Sequence, residues 1–162
     1  MEKILVFDLQ GTLVDHGDPP CLFFQTVPCL LKLQQKYLMA VVTEGQVLEN
    51  VENMLQDLGI RSFFQQILHL KGTPLQKKDG SAFRHLAELF GVLPSELIIV
   101  GDVPARDIAG GNRCKALTIR VRQGRHAAVE PTTTVEIPSV EIRHLGELPE
   151  VLAVLEKNKT LR

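Results

Sequence analysis

The stretch VFDLQGTLV, residues 6–14, is the most informative about the fold, because it predicts a short apolar strand that ends in an acid and a tight turn. The residues before the acid, KILVF at positions 3–7, form a short and almost entirely apolar run. Such runs are typical of parallel strands that are covered on both faces. Asp8 stands where this strand ends, and Gln10 follows two positions later. Because a carboxylate at the tip of a buried strand needs a partner, Asp8 is a candidate site residue.

The rest of the chain repeats this alternation of short apolar strands with amphipathic helices. SAFRHLAELFG predicts a helix with Ser81 as its N-cap and Gly91 as its stop, and QVLENVENMLQDLG predicts another with Val47 as its first apolar residue. Five more strands are predicted in LMAVVT, QQILHL, ELIIVGD, ALTIRV and SVEI. The alternation predicts one α/β domain over residues 1–162, with a mostly parallel central sheet.

Composition excludes several classes of function. The chain is 44% hydrophobic and 23% charged, with a formal net charge of −1, so nothing in the charge favours nucleic acid or an anionic membrane. No apolar run reaches the ~18 residues of a membrane span, and the apolar run before Asp8 is too short for a signal peptide. We therefore expect a cytoplasmic protein. The three cysteines and five histidines lack metal-ligand spacing, so neither zinc nor a disulfide is expected.

Polar residues end three of the predicted strands: Asp8, Thr43 and Asp102. In an open parallel sheet such strand ends face the ligand-binding crevice. Asp107 follows Asp102 by five residues, and three converging carboxylates would repel one another unless a cation neutralised them. Oxygen ligands favour Mg²⁺ over zinc. The alternative is that Asp102 caps a helix and Asp107 is a solvated helix residue.

A pair of lysines, Lys77 and Lys78, precedes the helix that contains Phe83. One of them could hold an anionic oxygen as a point charge. Alternatively, the pair is solvated surface.

Together these stretches resemble the haloacid dehalogenase superfamily, whose enzymes use an aspartate nucleophile. The resemblance covers nearly the whole chain and includes four motifs in order: FDLQGTLV, VVTEG, a lysine of the 77–78 pair, and IIVGDVPARDI. Counted back from Phe83 as in family members, Lys77 matches better than Lys78. The resemblance implies a Rossmann-like three-layer sandwich.

The resemblance also implies a role for each residue at a motif position. Asp8 is expected to be the nucleophile that takes up a phosphoryl group as an aspartyl-phosphate. Thr43 is expected to hydrogen-bond the phosphoryl oxygens, and Lys77 to neutralise charge on Asp8 and the phosphate. The expected cofactor is Mg²⁺, with four expected ligands: Asp8, the backbone carbonyl of Gln10, Asp102, and Asp107 directly or through water.

Two residues depart from the family pattern. Gln10 occupies the catalytic position where phosphatases of the family carry an aspartate, which protonates the leaving alcohol and then deprotonates the attacking water. An amide has no proton to exchange near pH 7, so Gln10 cannot do this. Glu44 stands where a small or amide residue is more usual, and its carboxylate could repel substrate phosphate or point to solvent.

The spacing of the motifs leaves no room for a cap domain of ~60 or more residues. About 35 residues separate Asp8 from Thr43, and about as many separate Thr43 from Lys77. An open site is therefore expected, or one closed by a second copy of the chain or by a macromolecular substrate. The apolar CLFF, residues 21–24, is either core or a contact patch for a partner.

Three functions fit these residues. The first is an Mg²⁺-dependent phosphatase or phosphotransferase, acting on a phosphorylated small molecule or macromolecule, with hydrolysis weakened by Gln10. The second is a non-catalytic relative that keeps the metal and phosphate pocket for binding or assembly. The third is a dehalogenase-like hydrolase, which fits least well because attack on carbon needs no metal and the pair Asp102 and Asp107 suits a cation.

Overall fold

The computed structural model describes residues 3–45 and 48–160. In this part of the chain, six strands form one sheet: β1 (Ile4–Phe7), β2 (Leu38–Thr43), β3 (Gln66–His69), β4 (Leu97–Gly101), β5 (Leu117–Val121) and β6 (Val140–Ile142). All neighbouring pairs are parallel, in the order β3-β2-β1-β4-β5-β6. The predicted parallel α/β fold is confirmed.

Helices cover both faces of the sheet. They are α1 (Thr26–Leu33), α2 (Leu48–Asp57), α3 (Ser81–Phe90), α4 (Ala109–Arg113) and α5 (Leu148–Thr160). Because side chains alternate along a strand, Leu5 and Phe7 of β1 pack in one core with α1, α2 and α5. Ile4 and Val6 pack in a second core with α3. The predicted three-layer arrangement follows from this division.

The start of α3 differs from the prediction. Ser81 is the first residue of the helix, and Gly80 precedes it in a left-handed conformation, so Ser81 is not the N-cap. Its hydroxyl instead accepts the backbone N–H of Gln76 at 2.9 Å and holds the preceding loop. Val47, the first apolar residue of the pattern that predicted the second helix, lies outside the described residues, and α2 begins at Leu48.

The order of the strands places a crevice between β1 and β4. The chain winds outward from β1 to β3, returns to β4 beside β1, and then winds outward to β6. Connections leave β1 and β4 in opposite directions at this point, and ligands of open α/β sheets bind at such a reversal. Asp8 follows β1 and Asp102 follows β4, so both lie at its mouth.

The CLFF segment lies partly in the core and partly on the surface, and contact with a partner stays a prediction. Leu22 is partly buried against the core, whereas Phe24 is 90% exposed and Cys21 is also exposed. The segment is therefore anchored by Leu22 and presents an aromatic ring to solvent.

Candidate active site

The turn after β1 brings the candidate nucleophile close to the end of β4. The backbone N–H of Asp8 donates to the carbonyl of Val100 at 2.9 Å, which continues the β1–β4 pairing up to the acid. Gly11 then adopts a φ of +88°, and a Cβ on it would lie 2.1 Å from Asp102 Oδ2. Only glycine fits both the conformation and the space, so Gly11 lets the two acids approach.

Of the two adjacent lysines, Lys77 is the one that joins the carboxylate cluster. Its Nζ forms an ion pair with Asp8 Oδ1 and lies 2.9 Å from Asp107 Oδ1. The side chain of Lys77 is 4% exposed, whereas its neighbour Lys78 is on the surface. Burial and ion pairing thus distinguish two adjacent lysines that the sequence left as alternatives. Gly110 of α4 supports this position, since a Cβ there would lie 1.8 Å from the Lys77 carbonyl oxygen.

Burial governs the charges of this cluster. It raises the pKa of Asp8 and the pKa of Asp107 above their ordinary values, and Lys77 acts in the opposite direction on both. Burial also opposes the charge of Lys77, but the carboxylates of Asp107 and Asp8 outweigh it, so the pKa of Lys77 is raised. One ammonium serves two carboxylates, which leaves them incompletely neutralised.

The three acids fit a divalent cation. One oxygen each of Asp8, Asp102 and Asp107 lies within 4.8 Å of the other two. In the part of the chain that the structure describes, Asp102 Oδ1 is buried and has no hydrogen-bond partner. Asp107 is oriented by the backbone N–H of Val103, which donates to its Oδ2 at 3.0 Å. An orphaned carboxylate oxygen beside two further carboxylates is a donor set that suits Mg²⁺. The alternative of a helix-capping Asp102 and a solvated Asp107 is wrong, because both side chains are buried in this cluster.

A small cavity of about 110 Å³ opens above the cluster. Its wall contains the predicted residues Asp8, Gln10, Thr43 and Lys77, with Glu44, Gly45, Arg106, His16 and Arg125 around them. The structure therefore brings together at one opening the four side chains to which the sequence assigned catalytic positions.

Glu44 does not simply point to solvent, so that alternative is wrong. Its Oε1 accepts the backbone N–H of Lys77 at 2.9 Å, and its Oε2 lies 3.4 Å from Arg106 Nη1. The carboxylate ties the end of β2 to the loop that carries Lys77.

Two histidines that no sequence motif indicated lie beside the carboxylate cluster. His126 Nδ1 lies 2.7 Å from Asp102 Oδ2, and its ring packs edge-on against His16, with ring centroids 5.2 Å apart. The two histidines are more than a hundred residues apart in the sequence, and neither belongs to a recognisable spacing. Only the turn after β1 and the segment after β5 bring them together.

Comparisons with known proteins identify the family of this chain. The sequence profile of the family described as haloacid dehalogenase-like hydrolase matches residues 22–121. The chain therefore belongs to this family of hydrolases, as the sequence motifs predicted. The matched region contains Thr43, Lys77, Asp102 and Asp107, and it begins after the turn that carries Asp8.

Individual relatives carry related descriptions. A glyceraldehyde 3-phosphate phosphatase of Methanopyrus kandleri is 31% identical over 133 residues, which cover 82% of this chain and 57% of that protein. A putative HAD-hydrolase of Bacillus subtilis, solved bound to magnesium, is 28% identical with a TM-score of 0.70 over 81% of this chain and 56% of that one. A predicted phosphoglycolate phosphatase of Haemophilus somnus shares the fold, with a TM-score of 0.80, 17% identity, and coverage of 93% and 98%.

The chain spans little more than half the length of the curated relatives it matches. No helix among residues 3–45 and 48–160 has both the length and the apolar character needed to cross a membrane.

Proposed function

We propose that this chain is an Mg²⁺-dependent phosphatase that forms an aspartyl-phosphate on Asp8. The observation that carries the proposal is the buried cluster in which Lys77 bridges Asp8 and Asp107, with Asp102 close by. Asp8 also lines the cavity, so its carboxylate faces the space that a phosphoryl group would enter. The names of the curated relatives, which describe phosphatases, support the same reaction.

Each residue has a task in the first half-reaction. A carboxylate oxygen of Asp8 attacks phosphorus, and the bond to the leaving oxygen breaks. Lys77 offsets negative charge on Asp8 and on the transferring group, and the Thr43 hydroxyl donates to a phosphoryl oxygen. Asp8, the Gln10 carbonyl, Asp102 and Asp107 would hold the metal. When bound, Mg²⁺ would neutralise charge on the phosphoryl oxygens.

Gln10 weakens the reaction at two points. The alcohol leaves as an alkoxide unless a proton reaches it, and water attacks the aspartyl-phosphate slowly unless a base removes its proton. The amide of Gln10 can do neither. Acid–base catalysis is typically worth ~10²–10⁴ in rate, or roughly 3–5 kcal/mol of barrier. Hydrolysis of alkyl phosphates is therefore expected to be slow.

The substrate class follows from the size of the cavity. A space of about 110 Å³ accommodates a phosphoryl group, so the remainder of the substrate extends outside it. A small phosphorylated metabolite, of the type that the relatives' names mention, fits this geometry, and so does a phosphate on a macromolecule. A second copy of the chain, contacting the exposed ring of Phe24, is a candidate for closing the site.

The amide at position 10 also favours a second candidate function. A chain that keeps the metal acids and Lys77 but lacks the acid–base residue can bind a phosphate without turning it over. This candidate is a phosphate-binding or assembly protein with the same pocket.

Steady-state hydrolysis separates the two candidates. Wild type, Gln10→Asp and Asp8→Asn are compared on para-nitrophenyl phosphate, whose leaving group needs no proton, and on an alkyl phosphate. We expect wild type to act on the aryl ester, Gln10→Asp to raise alkyl phosphate hydrolysis by ~10²-fold or more, and Asp8→Asn to be inactive. If neither wild type nor Gln10→Asp releases phosphate from either ester, the binding function is the better one.

A further inference from the structure

With Gln10 unable to exchange a proton, the wall of the cavity has to supply one from elsewhere. Asp8 is the nucleophile, and Lys77 is held as a cation by two carboxylates. Glu44 is committed through both oxygens, to the Lys77 backbone and to Arg106. Arg106 and Arg125 carry guanidinium groups, which donate hydrogen bonds and accept none. Among the described lining residues, His16 is left as the side chain that both gives and accepts protons near neutral pH.

The position of His16 suits this task. In the turn after Asp8, the N–H of Gly11 donates to the Val14 carbonyl at 2.7 Å. The chain folds back after this turn, and His16 lines the same cavity as Asp8 and Gln10. His16 Nδ1 is buried, and it has no hydrogen-bond partner in the described part of the chain. Since this nitrogen has no protein partner, the imidazole of His16 is not committed as the side chains of Lys77 and Glu44 are.

The backbone and the neighbouring ring fix the imidazole. The N–H of His16 donates to Asp15 Oδ1 at 2.8 Å, and the ring of His126 packs against it edge-on. Asp8 and His16 line the same cavity of about 110 Å³, so a phosphoryl group on Asp8 would share this small space with the imidazole.

We propose that His16 is the proton carrier of the phosphatase reaction, replacing the acid–base residue that Gln10 displaces. This inference rests on the proposed function. In the first half-reaction, an imidazolium nitrogen of His16 gives its proton to the leaving oxygen as the Asp8 oxygen forms its bond to phosphorus. In the second, the neutral imidazole takes a proton from water as the water oxygen attacks phosphorus and the bond to Asp8 breaks. Phosphate leaves, and the carboxylate and imidazolium are restored.

The groups around His16 support the second of these steps. Burial lowers the pKa of His16, and Arg125 and His126 act in the same direction, while Asp15 and Asp8 oppose them. A lowered pKa favours the neutral imidazole, which the second step uses to accept a proton from water, over the imidazolium that the first step consumes. His16 thus restores part of the turnover lost at Gln10, and the rate stays below that of a well-placed aspartate.

A double-mutant cycle tests this role. His16→Gln is measured in the wild-type background and in the Gln10→Asp background, on an alkyl phosphate and on para-nitrophenyl phosphate. In the wild-type background we expect alkyl phosphate hydrolysis to fall by about 10²-fold, the low end for a lost acid–base group. In the Gln10→Asp background, where position 10 carries the proton, we expect less than about a threefold loss, because the two groups are alternatives and their effects do not add.

The aryl ester supplies a second readout. Its first half-reaction needs no proton, so His16→Gln is expected to keep the initial burst of para-nitrophenol while the phosphoenzyme persists longer. Added imidazole is expected to shorten that lifetime, which a structural defect would not allow. His85→Gln replaces a half-buried histidine on α3 that does not line the cavity, and it serves as the matched control. His16→Asn repeats the test if the glutamine variant unfolds.

Two results would overturn the inference. An equal loss in both backgrounds would give His16 a structural role, and an unchanged alkyl phosphate rate in both would exclude it as the proton carrier. Absence of any burst or turnover in wild type and in Gln10→Asp would refute the proposed phosphatase itself, and this inference with it. The presence of the burst therefore distinguishes the two failures.

Discussion

Replacing Lys77 with methionine tests the electrostatic core of the site. The Lys77 side chain is 4% exposed, and the side chains it neutralises, Asp8 and Asp107, are 11% and 2% exposed. Methionine fills a similar volume but leaves two carboxylates facing each other without their shared cation. Removing one partner of a buried ion pair costs roughly 3–5 kcal/mol, because the remaining charge stays buried and uncompensated. We expect a loss of that size in the free energy of unfolding.

Urea unfolding without divalent cations measures this loss, and Lys78→Met is the matched control. Lys78 is exposed and adjacent, so its replacement is expected to change stability by no more than about 0.5 kcal/mol. For a chain of this size the Lys77→Met loss corresponds to a fall in Tm of roughly 6–20 °C. Equal stabilities for the two variants would refute the assignment of Lys77 as the cation of the cluster. Each variant loses one positive charge, so the two have the same formal charge. A difference in stability between them therefore reports the position of the lysine.

Two further predictions concern the cation and the packing around it. Mg²⁺ is expected to raise the Tm of wild type by mass action, and Asp102→Ala is expected to abolish that rise; an unchanged rise would remove Asp102 from the metal site. Gly110→Ala is expected to cost roughly 1–3 kcal/mol in urea unfolding, because its Cβ would lie 1.8 Å from the Lys77 carbonyl. Gly45→Ala is the control, because no atom of the described residues lies within 4 Å of a Cβ placed on Gly45, and equal losses would contradict the close approach at Gly110.

The fold was predictable from the sequence because its signal is local. Strands β1, β2 and β4 are runs of mostly apolar, mostly buried residues, and a helix follows each of them in the chain. The positions of Asp8, Thr43 and Asp102 followed from the same rule, since the ends of parallel strands lie at one edge of the sheet.

The remaining parts of the site depend on contacts that the sequence does not encode locally. Lys77 and Lys78 have the same chemistry, and they differ in that the fold buries Lys77 and exposes Lys78. Glu44 meets the Lys77 backbone across 33 residues, a pairing without a motif. No second residue stands at a spacing from His16 that would indicate a site. Its place on the cavity wall depends on how the turn after β1 folds back.

The two departures from the family pattern act on different steps. Glu44 adds a negative charge beside the phosphate position, but Arg106 lies against it, so the cavity keeps its capacity for an anion. Gln10 stands where family phosphatases have a carboxylate, so the site has one negative charge fewer. The cation that would attract an incoming phosphate, Lys77, is still paired with Asp8. In the proposed mechanism, phosphate binding and formation of the aspartyl-phosphate thus depend on residues that this chain has. Protonation of the leaving group and activation of water are the steps for which Gln10 is unsuited. The expected enzyme is one that binds and phosphorylates itself readily and releases phosphate slowly, at a rate set by whichever side chain now carries the proton.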